Sequence, residues 1–153
     1  MTYTLESLAT EQQELELDRF GYDFAWALGQ EIRARASAEN APVAIEISHG
    51  LSPVFTTLLP GATIDNLDWT GRKRAVAHRF HKSSLAVRLE AEVGNYDFND
   101  RFRLPKEKFV ASGGGFPLIL RGGTLIGTAC VSGLPDTDDH RLLVEALRAL
   151  RPA

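Results

Sequence analysis

Residues 111–133, ASGGGFPLILRGGTLIGTACVSG, constrain the fold more than any other stretch of this chain. Two β-rich apolar runs, FPLIL and TLIGTACV, are joined only by RGG, which leaves room for a tight hairpin turn and none for a crossover helix. An antiparallel strand pair follows. Gly122 and Gly123 read as its turn, and Gly127, inside a strand, as a bulge or the close approach of another backbone. Gly113, Gly114 and Gly115 have two readings, a plain turn or a loop that offers N–H groups to a ligand. They are not a dinucleotide fingerprint, because the G-x-G-x-x-G spacing fails and a strand rather than a helix comes next. The lysine-serine or lysine-threonine ending of a P-loop is missing as well.

A second hairpin is visible upstream. PVAIEIS and PVFTTLL flank HGLS, where Gly50 takes the turn, so Val43, Ile45 and Ile47 share one face and Glu46 points to the other. Around the hairpins lie helical periodicities. Thr10 with Gln13 fits a capping box, and Leu17, Phe20, Phe24, Leu28 and Ile32 then repeat at helical spacing to about Ser37. Asp65 to about Val93 reads as helical with a break near Ser83 and Ser84, and GNYDFND after it as a loop. Asp136 is placed as the N-cap of a closing helix carrying Leu142, Leu143, Ala146, Leu147 and Leu150 on one side. The order α, ββ, α, ββ, α predicts an α+β (α/β) fold, an antiparallel sheet from two hairpins with packed helices.

Composition narrows the class. A chain of 153 residues, 44% hydrophobic, suffices for one core, so one domain over 1–153 is expected. A net charge of -3 with interspersed signs argues against a nucleic-acid partner, and no apolar run reaches the roughly 20 residues of a membrane span. Cys130 is the single cysteine and the polar, acidic start lacks a secretion signal, so a reducing, cytoplasmic location is expected.

On a helical wheel from Trp69, Lys73 falls inside the apolar stripe of Val76, Ala77 and Phe80, with Arg72 on its flank. Its stem lies along the core edge with the ammonium in water, or it sits at a pocket mouth and meets an anionic group. The ligand-binding candidates are therefore Lys73, Arg72, Ser112, Gly113, Gly114 and Gly115. His78 and His81 have a spacing that can bring two imidazoles onto one metal, but the wheel turns both away from the stripe beside Arg74 and Lys82; they remain weak metal candidates. DTDDH offers carboxylates and His140, but acidic residues in a first helical turn have a sufficient reason in the helix dipole. His49 sits in a turn, Cys130 reads as a small buried hydrophobe, and no G-x-S-x-G elbow supports hydrolase chemistry.

GGGFPLILRGGTLIGTACVSG with the acidic helix start after it resembles the G-G-x-P…G…G-x-x-x-V-S-G…D signature of the haem-degrading-domain superfamily, which includes the HbpS and GlcG proteins. VAIEISHGLSPVFTTLLPGATIDNLDWTGRKRAV resembles that family's first hairpin, turn and second helix, so the similarity covers about residues 12 to 150. DNLDWTGRKRAVAHRFHKSS with ASGGGFP resembles most the intracellular, UPF0303-type branch. The resemblance implies a profilin-like sandwich, assembly into homo-oligomers, and haem as the cofactor to test. No family haem ligand aligns with a matching motif here.

Two classes of function follow, a module binding a carboxylate-bearing small molecule such as haem, or a ligand-free interaction oligomer. Haem degradation is a weaker third reading. Self-association is expected because helices covering one sheet face would leave Glu46, Ile119, Ile126, Thr128 and Cys130 on an exposed second face. Any haem is expected to bind weakly or at a subunit interface, through His78 or His81.

Overall fold

The computed structural model describes residues 2–151. Helices α1 (Leu5–Glu14) and α2 (Tyr22–Ala38) lead into the hairpin of β1 (Ala44–His49) and β2 (Ser52–Leu58). Helices α3 (Ile64–Phe80), α4 (Ser84–Gly94) and α5 (Phe98–Phe102) come next, followed by the hairpin of β3 (Gly115–Ile119) and β4 (Leu125–Ser132) and the closing helix α6 (Asp136–Leu150). The three pairings between these strands are antiparallel and the sheet runs β2-β1-β4-β3. Both edge strands carry a proline, Pro53 and Pro117, which a central strand would not accept because it needs every backbone N–H in its ladders. Between the two central strands, a Cβ on Gly127 would lie 2.0 Å from the Ser48 carbonyl oxygen, which is the close approach read from sequence.

Alternation on the central strands divides the core. Val43, Ile45, Ile47, Ala129 and Val131 face α2 and α6, where Leu28, Ile32, Leu143 and Leu147 complete a buried cluster. Each valine, leucine or isoleucine among them contributes about 1.5–3 kcal/mol on removal from water. The opposite face carries Glu46, Ser48, Thr128, Cys130 and Ser132, and α3 lies across it with Thr70, Lys73, Val76 and Ala77 buried. This corrects the expectation of an exposed second face. Glu46 is 8% exposed and Thr128 and Cys130 are fully buried, because α3 covers them and Arg74 pairs with the Glu46 carboxylate.

The helix expected from Thr10 to Ser37 is two helices. α1 starts earlier, where the Thr4 hydroxyl accepts the Ser7 N–H and the Ser7 hydroxyl accepts the Thr4 N–H, so Thr10 lies inside the helix. The chain then runs extended. Leu17 donates its N–H to the Ile119 carbonyl (2.8 Å) and accepts the Arg121 N–H (2.8 Å), so a sheet edge competes for backbone that the apolar repeat alone assigns to helix. The expected break near Ser83 is present. Its cause is His81 in the left-handed region (φ 56°) followed by the Ser83 hydroxyl capping Ala86, with Gln12 of α1 bonding both the His81 carbonyl and the Ser83 N–H. The expected loop at 94–100 runs into α5, which begins at Phe98 and forms because Phe98 and Phe102 pack against Phe80. Asp136 is not the α6 cap but its first residue, and its carboxylate is used elsewhere.

Candidate functional site

Helix α3 delivers Lys73 to the sheet from above, and α6 delivers Asp139 from the side. The Lys73 Nζ donates to Asp139 Oδ2 (2.9 Å) and to the Val131 carbonyl (3.0 Å), with the two side chains 2% and 1% exposed. Lys73 therefore does not snorkel to water, and one anionic partner, Asp139, belongs to the same chain. Asp139 also accepts the N–H groups of Leu134 (3.0 Å) and Gly133 (3.4 Å). Burial pushes its carboxyl up to about 6, against the opposing pull of Lys73 and of those two backbone donors.

The glycine triplet is packed onto this pair. The Gly113 N–H donates to Asp136 Oδ2 (2.8 Å) and the Gly115 N–H to the Ser84 hydroxyl (2.8 Å), while the Gly114 carbonyl accepts the Val131 N–H (2.8 Å). Gly114 has φ +122°, and a Cβ there would lie 2.3 Å from the Val131 oxygen and 2.8 Å from Lys73 Nζ. Close packing over the ammonium is thus a third explanation, in addition to a turn and a ligand loop, for why no side chain is accepted.

Above the pair opens a cleft of about 270 Å³, walled by Asn66, Trp69, Ser112, Ser132 and Leu134. Its carboxylates are committed, Asp139 as described and Asp136 to Gly113 and to Arg88 Nε at 2.7 Å. Donors remain. Two of the three ammonium protons of Lys73 have acceptors, and the hydroxyls of Ser112 and Ser132 have no partner among the described residues. Asn66 spends its Oδ1 on the Thr63 N–H and keeps its amide donors. The cleft is therefore electrically balanced and rich in donors, a setting for a small molecule that presents acceptors.

The structure brings Lys73, Ser112 and Gly113 to Gly115 together. It separates Arg72, whose guanidinium stacks on Trp69 (4.3 Å to the ring centroid) and pairs with Asp68 at 3.1 Å, buttressing one wall without lining the cleft. His78 is half-buried on α3 and His81 exposed at its end, and among the described residues no three His, Cys, Asp or Glu side chains are grouped to hold a metal. Cys130 is fully buried and its thiol is pushed up to about 12 by burial, so it is not a nucleophile near neutral pH. His140 lies near the start of α6. It is fully buried, with Nε2 2.6 Å from Glu11 Oε1 and the Tyr3 ring edge-on at 5.1 Å. Sequence reasoning missed Asp139, Asn66 and Ser132 as cleft residues, Asp139 because a carboxylate in a first helical turn already has a sufficient reason in the helix dipole.

Comparison with known proteins agrees with the sequence resemblance. The family model described as haem degrading protein HbpS-like matches residues 20–148. A UPF0303 protein of Paraburkholderia phymatum is 41% identical over 149 residues, covering 97% of this chain and 90% of its own. The crystal structure of the Ybr137w protein superposes with a TM-score of 0.90 at 26% identity, over 99% of this chain and 91% of that one. The PduOC:heme complex superposes with a TM-score of 0.73 at 21% identity, over 86% and 95% of the two chains, which establishes a shared fold. Among the described residues, no helix is long and apolar enough to cross a membrane.

Proposed function

The chain belongs to the HbpS-like family of haem-degrading proteins, and from that premise we propose that it is a homo-oligomeric, cytoplasmic module that binds a small carboxylate-bearing molecule. The observation that carries this reading is the convergence of the remaining Lys73 proton, the Ser112 and Ser132 hydroxyls and the Asn66 amide on one cleft whose own carboxylates are already paired. Lys73, Ser112, Asn66 and Ser132 make the contacts. Gly114 and Gly115 pack against Lys73, and Arg72 buttresses the Trp69 wall. Native mass spectrometry of protein purified from its host tests it: a retained small molecule that is lost in Lys73→Met supports the cleft, and bare oligomers with no retained or added carboxylate bound would remove it.

Haem is the group the family suggests, and the PduOC structure is of a haem complex. The residues of the Lys73 cleft do not fit it, since none is a His, Cys, Met or Tyr able to coordinate iron and the space is narrow. The cleft accordingly supports no step through haem. The arrangement nearest to a porphyrin's needs is an open groove between α1 and α4, where Leu5, Leu8, Ala9 and Ala86 form an apolar floor with His81 and Lys82 at the rim. A second copy of the chain would have to cover it. Haem titration of His81→Ala beside the wild type tests this second reading, which fails if the Soret shift is unchanged.

The ligand-free alternative rests on exposed apolar groups, Tyr22 (61%), Trp26 (58%) and Leu51 (63%). Sedimentation velocity tests the self-association that both readings require: a single species near 16.8 kDa at micromolar concentration would exclude it.

A further inference from the structure

We propose a second ligand site, selective for small amphipathic carboxylates, in the cavity between the α1–α2 connection, the β3–β4 turn and the end of α6. This cavity has a volume of about 660 Å³, within the range of small-molecule sites, and shares no lining residue with the Lys73 cleft. It exists because the chain leaves helical geometry after Leu15. The two backbone bonds of Leu17 to Ile119 and Arg121 pin the connection beside the sheet and bury Leu17 as the floor, with Phe24 and Leu150 half-buried around it.

Three arginines line the cavity beside this apolar floor, Arg19, Arg121 and Arg151. Arg121 is paired with Asp18. Arg19 and Arg151 have no carboxylate within 4 Å among the described residues, and Glu16 on the same wall is likewise unpaired. The lining thus carries three cationic and two anionic side chains, an excess of one positive charge. An apolar floor and a cationic rim are recognised together only by a molecule with both parts. The hydrocarbon or aromatic body covers Leu17, Phe24 and Leu150, and the carboxylate takes the forked donors of an arginine. A neutral molecule of the same body leaves the arginines unsatisfied, and a small anion leaves the floor wet.

Calorimetric titration with dodecanoate, kept below its micelle concentration, tests the site, with dodecanol and acetate as the two half-ligands. One dodecanoate per chain is expected, with about tenfold weaker binding of dodecanol and weaker still of acetate. Affinity for dodecanoate should fall about tenfold in Arg19→Gln/Arg151→Gln and fall with added salt, whereas Lys73→Met should leave it unchanged. The salt series on the wild type gives the same reading without any variant. Absent dodecanoate binding, equal binding of dodecanol, or full affinity in the double variant overturns the proposal. Loss of dodecanoate binding in Lys73→Met, with the variant folded, would return the ligand to the cleft.

Discussion

The Nζ of Lys73 lies 2.9 Å from Oδ2 of Asp139, 66 residues away in sequence, and both side chains are almost wholly buried. This contact locks α3 to α6 across the strand that lies between them, because the same ammonium also holds the Val131 carbonyl of β4. Buried pairs of this kind recover their desolvation cost only when every member is satisfied. Removing one partner is therefore worse than removing both. Lys73→Met is expected to destabilise by about 3 kcal/mol at pH 7, and Lys73→Met/Asp139→Leu by less than the sum of the single changes. Urea unfolding of the four proteins measures the coupling; strictly additive costs would contradict the paired arrangement.

The pH dependence has a definite sign. Asp139 titrates near 6 in the folded chain, above its ordinary value of 3.8, so between about pH 4 and pH 6 the folded state binds the extra proton. Stability from that proton is fully present at the acid end and is lost as pH rises through 6. Asp139→Asn removes this titration and leaves the other carboxylates in place. The stability advantage of the wild type over Asp139→Asn should therefore shrink from pH 4 to pH 7, by on the order of 3 kcal/mol. An advantage that grows across this window would show that the ion pair outweighs burial.

Strand alternation made the hairpins legible, because Val43, Ile45 and Ile47 need one buried face whatever lies around them. The position of Lys73 inside the α3 stripe was legible for the same reason, but its partner was not. Asp139 sits in a first helical turn, where the dipole already accounts for a carboxylate, so only tertiary packing distinguishes it from Asp138. The helical repeat across Leu17 failed for a related cause. Leu17 is buried by its backbone bonds to the β3 end, and an extended residue against a sheet leaves the same apolar mark as one on a helix face.

Gly114 and Gly71 make a matched test of the packing over Lys73. Gly114→Ala forces a Cβ to 2.3 Å from the Val131 oxygen at φ +122°, and should cost about 3 kcal/mol or more. Gly71, inside α3, has only the Arg74 guanidinium at 3.6 Å, and Gly71→Ala should stabilise by about 0.5–1 kcal/mol. Thermal melts of the two variants should therefore shift in opposite directions. Equal small shifts would mean that the glycine loop relaxes away from Lys73.

The contact between His140 and Glu11 ties α1 to the rest of the molecule. Glu11 is 9% exposed, its Oε1 meets His140 Nε2, and its Oε2 faces Arg148 at 3.8 Å. His140 Nδ1 has no partner, so Glu11 supplies the only protein hydrogen bond of this buried ring among the described residues. Glu11→Ala should leave the ring wholly unpaired and cost about 1–3 kcal/mol. Because α1 otherwise rests on Leu8 and on the Gln12 contacts to the α3–α4 junction, the loss should be local. Hydrogen exchange reads this directly. Amides of residues 5–14 should lose protection while those of β1 and β4 keep theirs, and uniform loss across the sheet would place His140 in the global core instead.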